Sequence, residues 1–464
     1  MREEKKIDQE LKELAGKAVE TGRMKARKKP VEQKSFLLPT LAEQLDARRP
    51  IYQLAGKIPW GDFEEEFGAF YSEEGRPAKP VRLMVGLLIL KQLHDLGDET
   101  VVEAWRENPY WQYFCGESEM QWGAPCEPSD LVHFRHRIGE VGMQLILAVS
   151  IGMHGPKGGE KEVVIDTTVQ EKNVTYPTDT KLYRKVIARC WKLADHEQIQ
   201  LRRRYRKEVR KHLLAQRGRG HWRTVKAAQR ATRKLKTIAG RLVRELGRKL
   251  SVAALEKYRG DLDLYHRALA QKRDDRDKIY SLHEPHIYCV AKGKEHKKYE
   301  FGTKASVVLT KTGGIIVGAV AHDRNLYDGH TLPEVLQQAQ ALTGSVPTVA
   351  IVDRGYRGTR RVGETEILVP GPKPKEQTPH HTRLMRQRFR RRCAIEPVIG
   401  HLKSDYRLAR NYLKGFAGDT RNLLLAAAAW NFNKWLNLVV SFYLNLLRRF
   451  PSASFSPLLH LTPF

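Results

Sequence analysis

The chain has 464 residues, enough for two or three domains with sizeable cores. Its 82 lysines and arginines against 53 acids give a formal charge of +29, a balance that suits polyanions, either nucleic acid or an anionic membrane surface. A spanning helix is not expected, because the most apolar stretch, 423–447, is interrupted by Asn431, Asn433, Lys434, Asn437 and Asn445.

The N-terminus, Met1-Arg-Glu-Glu-Lys-Lys, lacks the apolar core of a signal peptide. Cys115, Cys126, Cys190, Cys289 and Cys393 are scattered with no zinc-ligand spacing, so free thiols in a reducing cytosol are expected. Residues 1–38 read as a charged basic arm. From 39 to 150 the periodicity is helical. Leu83, Leu87, Leu90 and Leu93 share a face in a helix starting near Pro80. A second helix with an acidic start follows Asp98-Glu99, and a third follows Pro128, with Ser129 or Asp130 as its N-cap. In so basic a chain this region is expected to bind DNA or to mediate dimerisation.

Val163-Val164-Ile165-Asp166 is an apolar run ending in an acid, and reads as a buried strand. Long helices are predicted over 181–270. Between 181 and 250 lie 24 lysines and arginines against four acids, too one-sided for a solvated surface, so a phosphate-facing role is expected. Tyr183, Trp191, Tyr205 and Trp222 fall at helical spacing there and are expected to be core residues. Strand signals return near 286. A hairpin is predicted from Tyr299–Leu309 and Gly314–Ala321, then a helix from Thr331 to Leu342. Val349-Ala350-Ile351-Val352-Asp353-Arg354-Gly355-Tyr356 repeats the pattern of an apolar run delivering an acid to a loop. A short strand at Glu366–Val369 and a proline-rich linker at 370–379 precede a basic helical stretch. The fold class is therefore α/β, a mixed sheet flanked by helices.

Asp166, Asp353 and Glu396 are hard oxygen ligands suited to Mg²⁺ or Mn²⁺. Two divalent ions held by several carboxylates can activate one phosphodiester oxygen and stabilise another as it leaves. Phe389, Arg392, Glu396 and Lys403 would fall within roughly 60° of one face of a continuous helix at about 100° per residue. Arg392 and Lys403 then flank Glu396 as phosphate-binding cations, with Pro397 expected to kink the segment. Asp179, Asp323 and Asp328 are competing acids. Asp328-Gly329-His330 is read as a turn with a helix cap at His330-Thr331, the alternative being a DNA-contacting loop near the active site. His401 is read as a helix-surface residue.

Phe389-x2-Arg392-x3-Glu396-x6-Lys403 resembles the Tyr-Arg-Glu-Lys signature of bacterial insertion-sequence transposases of the DDE class. Asp166 and Asp353-Arg-Gly-Tyr356 are similar to the family's first and second aspartate segments, and residues 80–140 to its N-terminal domain. Phe389 replaces the signature tyrosine, so no polar role carries over to it. The resemblance implies an RNase H-like catalytic core over 160–178 and 280–410. Around it would lie a helical domain at 39–150, a basic helical insertion at 179–279 and a C-terminal helical region at 411–464. The long insertion here follows the first strand. In relatives with a β-rich insertion it lies between the second Asp and the Glu, so hairpin formation on DNA ends does not carry over. The implied function is a DNA transposase that binds terminal inverted repeats as a homo-oligomer, cuts them, and joins 3′-hydroxyl ends to target DNA. Asp166, Asp353 and Glu396 would hold two Mg²⁺ or Mn²⁺ ions, in a protein of the prokaryotic cytoplasm associated with the nucleoid and not with membrane. Two alternatives share the residues: an RNase H-like nuclease without strand transfer, and a catalytically inert DNA-binding protein.

Overall fold

Glu43, Asp62, Asp98 and Asp130 lie in the first turns of four of the N-terminal helices, where they meet the partial positive charge of unpaired backbone N–H groups. The computed structural model describes residues 23–24, 39–71, 76–272, 274–291, 298–371 and 378–449. The basic arm expected at 1–38 lies outside the described residues, apart from Arg23–Met24, which pairs in parallel with Arg76–Pro77. The helices here are α1 (Leu41–Gln44), α2 (Pro50–Lys57), α3 (Trp60–Gly68), α4 (Val81–Leu93), α5 (Asp98–Glu107), α6 (Pro109–Phe114) and α7 (Pro128–Gly152). The N-cap of α7 is Glu127, not Ser129 or Asp130. Pro128 takes the first helical position, where its missing N–H is no loss, and Asp130 reaches back to the Glu127 N–H at 3.1 Å. Helix α4 is apolar on nearly every side and is buried accordingly, with Leu87, Leu88 and Leu90 fully enclosed. Asp98, in the first turn of α5, receives Arg135 through two bonds of 2.6 and 2.8 Å and Lys91 at 2.8 Å. This trio joins α4, α5 and α7.

Seven strands form the central sheet: β1 (Glu162–Glu171), β2 (Tyr288–Ala291), β3 (Tyr299–Thr310), β4 (Ile316–His322), β5 (Val349–Ile351), β6 (Arg361–Val362) and β7 (Thr365–Leu368). The order is β2-β3-β1-β5-β7-β6, with β4 sharing the outer edge of β3 with β2. Strand β1 is antiparallel to β3 and parallel to β5, and β5 is parallel to β7. This is the mixed RNase H-like sheet. Central strands covered on both faces require near-continuous apolar runs, and Val163, Val164, Ile165, Ala350 and Ile351 are all enclosed. Helix α12 (Asp328–Thr343), crossing between β4 and β5, packs on β4.

Between β1 and β2 the chain forms α8 (Asp179–His196), α9 (Arg206–Ala215), α10 (Val225–Lys249) and α11 (Val252–Ala270). These have their own core, in which Val186, Leu235, Leu242 and Leu246 are fully buried. Tyr183 belongs to it, and Trp191 and Tyr205 pack against it, as their spacing implies. Trp222 does not: it is 74% exposed, because it lies in the loop between α9 and α10 and not on a helix.

Beyond β7, α13 (Pro379–Arg392) and α14 (Ile395–Ser404) lead to the long α15 (Gly415–Arg449). The run Ala426–Ala429, at most 1% exposed, lets α15 approach closely, and the helix packs on α4, α7 and β4. Asn431, fully buried in α15, bonds both backbone groups of Ile316 at 2.9 and 2.8 Å and Ser150 at 3.1 Å. At the far end of β1, buried Lys172 meets Asp419 at 2.6 Å and Glu284 at 3.5 Å, and the Asp419 carboxylate accepts from the His286 ring at 2.9 Å. That cluster fixes the exit from the insertion to both β1 and α15. Among the described residues no helix is long and apolar enough to cross a membrane.

Candidate active site

Parallel strands in register turn corresponding side chains to the same face. Val163 pairs with Ala350 and Val164 with Ile351. Continuing that register by two residues sets Asp353 beside Asp166. The extended trace does continue, since the Val352 N–H still bonds the Leu368 carbonyl at 3.1 Å. Both aspartates are half-buried. Asp166 accepts from the Thr167 N–H at 2.7 Å and Asp353 from the Gly355 N–H at 2.7 Å.

A third carboxylate joins them from α12. Asp328 accepts from the Thr167 hydroxyl at 3.0 Å and from the Lys304 ammonium at 3.0 Å. It is the first residue of its helix and turns inward to the sheet, so the reading of this segment as a turn capping His330-Thr331 is corrected. A Cβ on Gly355 would lie 2.9 Å from an Asp353 oxygen and 3.0 Å from an Asp328 oxygen, which explains the glycine in Asp353-Arg-Gly-Tyr356. Tyr356 is fully buried beside Thr167, and its hydroxyl makes no hydrogen bond of good geometry among the described residues. Burial, followed by the charges of Asp166, Asp328 and Asp353, pushes this phenol far above its ordinary range. The hydroxyl therefore stays protonated.

Glu396 is not yet among them. The expected single helix through 389–403 is two helices, α13 and α14, broken at Cys393 and Ala394. Pro397 does not cause a kink, because it sits in the first turn of α14, where no backbone donor is needed. Helix α14 packs on β1, but the Glu396 side chain is 59% exposed and pairs with Arg392 at 3.2 Å. Lys403 faces Glu300 at 3.7 Å, and Phe389 packs against the main core. Among the described residues, no three acidic, histidine or cysteine side chains are gathered closely enough to hold a metal ion. His401 is exposed and pairs with Asp405 at 2.7 Å. Asp179 starts α8 in the insertion, and exposed Asp323 faces Arg324 at 3.5 Å.

Sequence reading also missed Arg388. It grips Glu162, at the start of β1, with bonds of 2.7 and 3.3 Å, and Lys311 binds the same carboxylate at 2.5 Å. Burial raises the Glu162 carboxyl, but these two cations outweigh it and hold it below its usual range. One arginine in a run of arginines gives no signal of its own. The opposite side of α13 presents Arg383, Arg386, Arg390 and Arg391 around a concavity of about 680 Å³.

Residues 39–137 match the family described as Transposase domain (DUF772), and residues 281–432 match the Transposase DDE domain family. An uncharacterised protein, ORF8 in the nfe locus of Rhizobium meliloti, is 45% identical over 173 residues, spanning 35% of this chain and 83% of that protein. No solved structure matches the chain. Asp328, Asp353 and Glu396 fall within the DDE match, while Asp166 and the insertion lie between the two matched segments. The chain belongs to the insertion-sequence transposases of the DDE class.

Proposed function

We propose that this transposase cuts DNA at the ends of its own element and joins the freed 3′-hydroxyls to target DNA, with Asp166, Asp353 and Glu396 as the metal ligands. The observation that carries the reading is that Asp166 and Asp353 each lie two residues beyond the last paired positions of adjacent parallel strands, with Asp328 bonded to Thr167 and close to Gly355 beside them. The donor chemistry suits Mg²⁺ or Mn²⁺: all three side chains offer hard oxygens, and Asp166 and Asp353 are half-buried near the enclosed Tyr356 phenol. When bound, two such ions polarise the attacking and leaving oxygens. The protein's own part is to hold the aspartates at fixed strand ends, through the Thr167 and Gly355 N–H groups. Glu396 must leave Arg392 to join them, which frees the Arg392 guanidinium for a phosphate. Lys403, about two turns further along nearly the same face of α14, and the arginines of α13 supply further positive charge along the DNA. In cutting, water oxygen bonds to phosphorus as the P–O3′ bond breaks, and a proton goes to the leaving oxygen, giving a 3′-hydroxyl and a 5′-phosphate. Joining repeats the displacement: that hydroxyl's oxygen bonds to a target phosphorus, and the target strand's 3′-oxygen leaves, taking up the proton as a new 3′-hydroxyl. Fragments of the DNA bordering the coding region are the substrates for the test. The full chain should nick them with Mg²⁺ or Mn²⁺, and Asp166→Asn, Asp353→Asn and Glu396→Gln should each slow nicking by about 10³-fold or more, the equivalent of several kcal/mol. Full activity in Asp353→Asn with unchanged DNA binding would remove it from the metal site.

A further inference from the structure

The loop between α9 and α10 reads Arg217-Gly218-Arg219-Gly220-His221-Trp222-Arg223-Thr224, and every side chain from Arg219 to Arg223 is exposed. It is a built turn. The Gln216 side chain donates to the Ala228 carbonyl and to the Thr232 hydroxyl, anchoring the base of the loop to α10. The Thr224 hydroxyl donates to the Gly218 carbonyl, and the His221 N–H reaches the same carbonyl at 3.2 Å. A Cβ on Gly218 would lie 2.7 Å from the Thr224 hydroxyl oxygen, so the turn closes only around glycine. This frame holds Trp222 outward at 74% exposure, with the His221 ring stacked beside it at 6.0 Å and the Arg223 guanidinium 4.9 Å from its centroid. An indole held on a fixed turn at this exposure still turns a large apolar surface to water.

The surroundings select what that face meets. No acid occurs between Val209 and Arg244. The four acids elsewhere in 181–250 are already engaged by cations of the same unit: Asp195 by Arg204, Glu197 by Lys257, Glu208 by Arg203 and Glu245 by Lys249. A flat aromatic face amid clustered guanidinium groups matches a base beside its phosphates. Trp122, 79% exposed, offers the contrast, since its loop carries Glu117 and Glu119.

We propose that the tip of the helical insertion is a DNA contact in which Trp222 stacks on a base face while Arg217, Arg219 and Arg223 hold neighbouring phosphates. This rests on the reading that the chain acts on DNA. It adds a residue outside both family-matched segments and gives the insertion a means of distorting or marking the duplex.

The test uses the full chain and a labelled duplex of about 30 base pairs, long enough to span several phosphate contacts, titrated across a salt series. Trp222→Ala should bind about 5- to 100-fold more weakly with an unchanged salt slope, because a stacking contact is lost and no charge is. Trp222→Phe should keep most of the affinity, Trp122→Ala all of it, and Arg219→Ala with Arg223→Ala should lower the slope by about 2. A 2-aminopurine placed in paired or unpaired positions identifies the base source. A Trp222-dependent signal from both means insertion between base pairs, and from the unpaired base alone means stacking on an extruded one. Wild-type affinity and an unaltered 2-aminopurine signal in a folded Trp222→Ala chain overturn the base contact alone. Absence of salt-dependent DNA binding by the wild-type chain overturns the DNA reading and this contact with it.

Discussion

Gly355 shows how narrowly the carboxylate cluster is built. Its missing side chain is what allows Asp353 and Asp328 to approach the same point within 2.9 and 3.0 Å. Gly355→Ala should displace one carboxylate or the other, because backbone and strand ends on both sides are fixed. We expect nicking to fall by about 10²-fold, the loss typical of a misplaced reacting group, with a stability loss of only about 1–2 kcal/mol. Activity within about threefold of wild type would mean that the two oxygens need not converge. Asp166 and Asp353 were legible in the sequence because each ends an apolar run. Asp328 stood out only as one of three competing acids and Arg388 not at all, since their contacts arise only where distant segments meet. Thr167 joins Asp328 across 161 positions and Glu162 joins Arg388 across 226.

The elements carry the same lesson. Helix periodicity located α4, α5, α7 and α12 to within a few residues, since each buries a face. It could not locate the break between α13 and α14. Pro397 is the visible breaker, yet it is compatible with a first turn, and the break falls before it. The Trp222 assignment failed for a related reason: the spacing fits a helix, but Gly218 and Gly220 end one first. Within the N-terminal helices, stability depends on the Asp98, Arg135 and Lys91 trio. Burial raises the Asp98 carboxyl, but the Arg135 bonds and the Lys91 charge outweigh it and hold it at about 2, below the ordinary 3.8. Its contribution is therefore present above pH about 4 and is lost as pH falls through about 2. Burial, then the Arg135 charge, lowers the Lys91 ammonium to about 8 from 10.5. Between those values the unfolded chain binds more protons, so Lys91 makes stability rise with pH there. Asp98→Asn should cost about 3–5 kcal/mol at pH 7 by leaving two buried cations without their counter-ion. It should also flatten the acid limb of a stability curve. An unchanged melting temperature would show that the trio is not a buried pair in energetic terms.

At the scale of the molecule, the fold class was legible because strand-like runs alternate with one helix after the hairpin, which only a mixed sheet accommodates. The register between β1 and β5 was not legible, and it is what brings the two aspartates abreast. Charge is also divided by function. The sheet gathers Asp166, Asp353 and Asp328 near its strand ends, while the insertion and α13 are densely positive. An enzyme that must bring anionic DNA to an anionic pocket needs both, since divalent cations and flanking guanidinium groups offset the repulsion. The central claim is that this pocket joins DNA ends as well as cutting them. The most direct measurement supplies pre-cut duplexes from the DNA bordering the coding region, with free 3′-hydroxyls, to the full chain with Mg²⁺ or Mn²⁺ and a supercoiled plasmid. The account predicts covalently joined products from the wild-type chain and none from Asp353→Asn. Joining by Asp353→Asn at the wild-type level, or no joined product from a wild-type chain that binds and nicks the same DNA, would contradict it.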